Sequence, residues 1–166
     1  MMKNNLTIHS GKLRNMASVY LRKNDKLLLL YRQGSSIVSD LWIGSAGGHF
    51  EKGEVNDAKA CMVRELYEEL SVTDESLQNL SLRYVTLRYA DGEIRQNYYF
   101  FADLVDSITP LSNEGQTRWF ALRELSELPM PFTARCMIDH YISTGQFDDS
   151  LYGGIANDDG VIFTKL

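Results

Sequence analysis

The spacing of apolar and polar positions changes several times along the chain, and each change predicts an element. Residues 17–22 (Ala-Ser-Val-Tyr-Leu-Arg) and 26–32 (Lys-Leu-Leu-Leu-Leu-Tyr-Arg) flank Lys23-Asn24-Asp25, which predicts a hairpin with a polar turn. Residues 33–41 are rich in Gly and Ser and predict a loop. Leu41-Trp42-Ile43-Gly44 is a short apolar segment that runs into a glycine-rich loop. From about Asp57 to Leu70 the period becomes helical, with Asn56 or Asp57 as N-cap. Residues 80–90 and 94–104 predict a second, longer hairpin that turns at Asp91-Gly92-Glu93. A strand over 116–122 and a helix over 132–143, ended by Gly145, follow. Residues 151–156 and 161–165 then pair across Asn157-Asp158-Asp159-Gly160. Strands outnumber helices and their order is mixed. This predicts an α+β fold, a mixed sheet sandwiched with two main helices, as one domain over residues 1–166.

The 57–70 helix carries the candidate chemistry. Glu65, Glu68 and Glu69 fall at i, i+3 and i+4 on one face, and Val63, Leu66 and Leu70 fall roughly opposite. Like charges at this spacing repel, at a few tenths of a kcal/mol per pair. Positions 66–73 hold no Lys or Arg, so nothing basic sits beside the three glutamates. Two readings stand: a solvated acidic face, or a site for a hard divalent cation. The stretch before the helix, Gly47-Gly48-His49-Phe50-Glu51-Lys52-Gly53-Glu54, favours the second. A tight glycine turn that feeds an acidic helix places backbone carbonyls and carboxylates around one cation, which takes oxygen ligands.

Composition narrows the function classes. The net charge of −5 and the lack of a basic stripe argue against a nucleic-acid surface. No apolar run approaches a membrane span and the N-terminus has no signal-peptide core, which predicts no membrane association and a cytoplasmic location. Cys61 and Cys136 make no metal-binding pattern and read as buried free thiols. His49 reads as a solvated loop histidine, and His9 and His140 carry no signal.

Residues 48–72 resemble the Nudix box: a Gly, five residues, a Glu, seven residues, then Arg-Glu-apolar-x-Glu-Glu-x-Gly-apolar. Gly48, Glu54, Arg64, Glu65, Leu66, Glu68, Glu69 and Val72 fill those places. Two departures stand out. Nine residues separate Glu54 from Arg64, which most simply lengthens the loop before Asp57. Ser71 stands where the family has Gly, at a helix end where Ser tolerates a left-handed cap less well. Outside the box, residues 41–48 and the run Asn113-Glu114-Gly115-Gln116 with Trp119-Phe120 are similar to MutT-type members.

The resemblance implies Mg²⁺-dependent (or Mn²⁺-dependent) hydrolysis of a nucleoside diphosphate linked to another group. The MutT type implies a nucleoside triphosphate, oxidised guanine nucleotides included, cut to the monophosphate and pyrophosphate. It implies Glu68, Glu69 and the Gly47 carbonyl as metal ligands, Glu65 as a further ligand or base, and Glu114 as a supplementary ligand or base from outside the box. Gly48 belongs to the phosphate loop, and Arg64 would pair with Glu54 to hold that loop to the helix. Tyr20, Trp42 and Phe132 are candidates to stack on the base, with ordinary core packing as the other reading for each. Residues 128–133 offer no evident reader of an oxidised guanine. Tyr89 stands about where dinucleoside-polyphosphate members carry a Tyr, and the lack of Pro between Val72 and Pro110 argues against ADP-ribose. A nucleotide-binding regulatory domain without turnover is the competing class. A monomer and a dimer both fit.

Overall fold

The computed structural model describes residues 12–34 and 40–166; His9 and residues 35–39 of the expected 33–41 loop lie outside them. The first hairpin pairs β1 (Lys12–Lys23) with β2 (Lys26–Arg32) across a two-residue turn, where Asn24 takes φ 56°. β3 (Leu41–Ile43) adds to β2, and β4 (Ala46–His49) adds to β1. The glycine loop expected here is therefore partly a strand: the tertiary pairing Ala17↔Gly48 and Ser18↔Gly47 overrides the weak strand propensity of glycine. After α1 (Ala58–Leu70) come β5 (Leu77–Ala90) and β6 (Glu93–Leu104), the long hairpin. β7 (Gln116–Ala121) pairs with β2, then α2 (Phe132–Ser143) leads to the last hairpin, β8 (Tyr152–Ala156) and β9 (Val161–Lys165). Short 3-10 segments at Asp74–Ser76, Leu122–Glu127 and Gly145–Phe147 have no evident period in the sequence.

One nine-stranded sheet results, in the order β3-β2-β1-β6-β5-β8-β9, with β4 on β1 and β7 on β2. It is mixed, since β1 runs parallel to β6 and β5 parallel to β8. Alternation along the strands sorts the core into two layers. Ala17, Val19 and Leu21 of β1, with Phe100, Ala102 and Leu104 of β6, pack under Cys61, Met62, Leu66 and Leu70 of α1. Tyr20, Tyr99 and Phe101 point the other way, onto Met137, Ile138 and Tyr141 of α2. Each face of the sheet thus carries one helix.

A register shift between Leu82 and Tyr84 puts Arg83 in a bulge of β5, almost wholly buried. Its guanidinium donates to the carbonyls of Gly145 (2.8 Å), Asp148 (2.7 Å) and Ser150 (3.0 Å), and pins the chain after α2 so that β8 can lie beside β5. Both cysteines are free thiols. Cys61 is buried as expected, whereas Cys136 is only half-buried. No helix among the described residues is long and apolar enough to cross a membrane.

Candidate active site

α1 begins at Asp57, whose carboxylate accepts the Ala60 N–H at 3.0 Å. Leu66 and Leu70 are buried, and Val63 packs at the edge of the same cluster. The three glutamates do not share one solvated face. Glu68 is exposed, Glu65 is mostly covered, and Glu69 is only 7% exposed. The reason is β4, which lies against this side of the helix. The Gly47 N–H donates to Glu69 Oε2 at 2.9 Å. A residue's N–H and C=O point to the same side of an extended strand, so the Gly47 carbonyl faces this way too.

Contact distance requires glycine at 47, where a Cβ would sit 2.6 Å from the Ala17 carbonyl oxygen; a Cβ on Gly48 would sit 2.2 Å from Glu65 Oε1 and displace that carboxylate. The carboxylate layer and β4 are therefore packed directly together.

The expectation that nothing basic sits beside the glutamates is overturned. Arg64 lies one turn before Glu68 and next to Glu65. Its Nη1 donates to Glu65 Oε1 at 2.8 Å and to Glu68 Oε2 at 3.0 Å. Its other edge makes a two-point pair with Glu54, Nε to Oε1 at 2.8 Å and Nη2 to Oε2 at 3.1 Å, and Nη2 also reaches the His49 carbonyl at 3.1 Å. The expected Glu54–Arg64 pair thus forms across the longer spacing. The lengthened stretch opens with a turn before the helix, closed by Asp57 N–H to the Glu54 carbonyl at 2.8 Å.

The electrostatics divide along the site. Hydrogen bonding from Arg64 pulls the Glu54 carboxyl down to about 2. Burial pushes Glu69 up to about 7, and the charges of Glu65 and Glu114 add to the shift. Burial also holds Glu65 above the ordinary carboxylate range, against the pull of Arg64. Among the described residues no Lys or Arg stands within 4.0 Å of Glu69, and no three His, Cys, Asp or Glu side chains are already gathered as a metal cluster. Arg64 occupies the place between Glu65 and Glu68. The donor set still fits a hard cation chemically, because it is all oxygen and includes a buried carboxylate with no cation in contact, Arg32 acting on it only from a distance.

Glu114 reaches the same end of the helix. The segment before it completes the end of α1: the cap's own Ser71 N–H bonds the Tyr67 carbonyl (2.9 Å), while Asn113 Nδ2 bonds the Glu68 carbonyl (2.7 Å), Asn113 N–H the Glu69 carbonyl (3.2 Å), and Leu111 N–H the Leu70 carbonyl (3.3 Å). All four terminal carbonyls are so satisfied. Glu114 itself is half-exposed and pairs with Arg32 at 3.8 Å. The sequence gives no role to Asn113 within its run and none to Arg32; their partners lie 45 and 82 positions away, beyond any local period.

The base-stacking candidates divide. Tyr20 is corrected to core: it is 1% exposed and stacks on Phe101 at 5.2 Å, with no ring face left for a ligand. Trp42 is half-buried, edge-on to Phe120 at 4.7 Å and tilted on Tyr31 at 4.9 Å, and its backbone N–H bonds the Pro129 carbonyl. Phe132 is half-buried under the Arg88 guanidinium, 4.5 Å from the ring centre. His49 is exposed at the end of β4, and its ring meets Arg14 at 2.7 Å.

The NUDIX domain profile matches residues 12–141. No curated protein matches the chain. Solved structures share its fold. A MutT protein from Bacillus halodurans superposes with a TM-score of 0.65 at 22% identity, over 92% of this chain and 97% of that one. A MutT protein from Methanosarcina mazei gives 0.67 at 15% identity, over 82% and 98%. An Ap4A hydrolase from C. elegans gives 0.62 at 17% identity, over 81% and 99%. With the profile spanning most of the chain and the box residues gathered at the junction of β4 and α1, the chain belongs to the Nudix family.

Proposed function

We propose that the chain hydrolyses a nucleoside triphosphate to the monophosphate and pyrophosphate in a Mg²⁺-dependent reaction that Mn²⁺ also supports. One observation carries this reading: Glu69 is a buried carboxylate with a backbone N–H on one oxygen and no side-chain cation within 4.0 Å among the described residues. A buried charge left unpaired is expensive, and the cost is tolerated where a ligand supplies the missing charge. Nudix hydrolases generally use divalent metals. Here Glu68, Glu69, Glu65, Glu114 and the Gly47 carbonyl would hold the ion. When bound, such a cation supplies charge neutralisation and Lewis acidity at a pyrophosphate.

The chain's own groups do the rest. Arg64 holds Oε1 of Glu65, which leaves Oε2 to take a proton from the attacking water. Glu114, half-exposed and tethered by Arg32, is the second candidate for that proton. The close packing of Gly48 on Glu65 keeps the carboxylate fixed while the substrate phosphates lie along β4. Trp42 and Phe132 would then contact the base.

A second reading, nucleotide binding without turnover, draws on Arg64, which already occupies Glu65 and Glu68. A panel of nucleotides, dinucleoside polyphosphates included, assayed with Mg²⁺ separates the two. The proposal expects pyrophosphate release that stops with chelator and returns with Mg²⁺ or Mn²⁺. Nucleotide binding with no metal-dependent product would favour the second reading. Phosphate release, or cleavage of dinucleoside polyphosphates only, would redirect the substrate class.

A further inference from the structure

The sheet is wider than the two helices that cover it. α1 packs over β1, β4 and β6, and on that face nothing among the described residues covers the end made by β5, β8 and β9. Cross-strand register puts apolar side chains in a row there: Leu87 of β5 is opposite Ile155 of β8, which is opposite Ile162 of β9. The α2 face of the same strands carries Tyr84, Tyr152 and Phe163 instead, packed around His140. Tyr89 extends the row two residues along β5, and the Leu166 side chain folds back over Gly153, on the same face. Leu87, Tyr89, Ile155, Ile162 and Leu166 are 36%, 65%, 60%, 68% and 73% exposed. Single exposed apolar residues need no explanation, but five on one half-face make a contiguous patch of roughly 600 Å², at the upper end for a monomer. Most of this patch lies on a hairpin outside the profile match, which ends at residue 141.

We infer that this half-face is a docking surface for a second copy of the chain, the two sheets stacking about a two-fold axis. Two such patches would remove roughly 1,200 Å² from water, the lower bound of a specific interface. A two-fold axis makes the patch its own complement, since the same residues meet on both sides. Charge favours a copy of this chain over an anionic membrane. The turns at the near end of the patch carry Asp91, Asp158 and Asp159, and the chain as a whole is at −5. A lipid-facing surface would need Lys or Arg there.

The test is the solution mass of the full chain, by light scattering from about 1 to about 100 µM. The expected result is the mass of two chains. Ile155→Lys and Ile162→Lys, both at exposed positions, should each weaken the dimer at least about tenfold, and together leave a monomer. Circular dichroism and melting temperature should stay near wild type. A wild-type monomer over the whole range would overturn the inference. So would a dimer that ignores both substitutions, or a monomer that sediments with phosphatidylserine vesicles.

Discussion

The box treats two carboxylates, one half-buried and one buried, in opposite ways. At Glu54, two hydrogen bonds from Arg64 and one from the Glu51 backbone satisfy the charge, and the carboxyl sits at about 2. At Glu69, one turn of α1 beyond Arg64, a single backbone N–H is the partner, and the carboxyl sits at about 7. The first end is complete without a ligand: it fastens the turns over 51–57 to the helix. The second is left short of positive charge by the protein itself. Identical side chains, fifteen residues apart, are thus a structural clamp and a ligand site, and the difference lies in which strand or guanidinium each one faces.

The largest expected effect follows from that asymmetry and is read as stability against pH without metal. Glu54 has its folded pKa below the ordinary 4.5, so its contribution is present above 4.5 and is lost as pH falls toward 2. Glu69 has its folded pKa above 4.5, so the folded state holds the proton more strongly. Its contribution is full below 4.5 and is lost as pH rises through about 7, by about 3 kcal/mol at most. His49 and His140, lowered by burial, act in the opposite sense near neutral pH. The difference between wild type and Glu69→Gln therefore isolates the term. Denaturant midpoints of the two should diverge between pH 5 and pH 8, with the variant the more stable at pH 8, and Mg²⁺ should close the gap by raising wild type alone. Parallel curves would mean that Glu69 is as well satisfied as Glu54.

Turnover should follow the same division. Glu68→Gln keeps shape and removes one charge from the ligand end; the rate should fall at least about a hundredfold, about 2.7 kcal/mol. Its stability should change little, because the Arg64–Glu68 pair is exposed and offsets the repulsion that a bare cluster would feel. Glu114→Gln should cost less, about tenfold, since its carboxylate is half-exposed and already tethered to Arg32. Near-normal rates for both at limiting Mg²⁺ would reduce the ligand end to a surface.

Much of this was legible in the sequence because it is periodic. The hairpin over β1 and β2, the long hairpin turning at Asp91-Gly92 and α2 over Phe132–Ser143 stand where alternation and helical spacing put them. The box carboxylates are at the predicted helix positions for the same reason. Tertiary partners were not legible. Glu69 reads like Glu68 until β4 is laid on it, and Tyr20 reads as platform or core until Phe101 covers its ring. Arg64 was read as Glu54's partner alone. That its other nitrogen also bridges Glu65 and Glu68 depends on a rotamer, which spacing does not fix.

The smallest effect concerns Ser71, which ends the helix just past the ligand site. The family places Gly there, and the backbone explains why: Ser71 adopts φ 54°, ψ 31°, the left-handed cap, while its N–H closes onto the Tyr67 carbonyl. An L side chain in this region costs about 1–2 kcal/mol relative to the right-handed helix, and glycine avoids most of it. Ser71→Gly also frees the unfolded chain, which takes back about 0.4–1 kcal/mol. The net expectation is a gain of about 0.5 kcal/mol, a rise in melting temperature of about 1–2 °C for a domain of this size. Ser71→Val should move the other way by more than 1 kcal/mol, because a branched side chain is poorly tolerated at positive φ. Ser71 is exposed and contributes backbone only, so the gain should come with unchanged turnover and an unchanged requirement for Mg²⁺. A Gly variant that raised turnover instead would mean that the cap sets the position of Glu68 and Glu69, and that the ligand end is held by the helix terminus as firmly as Glu54 is held by Arg64.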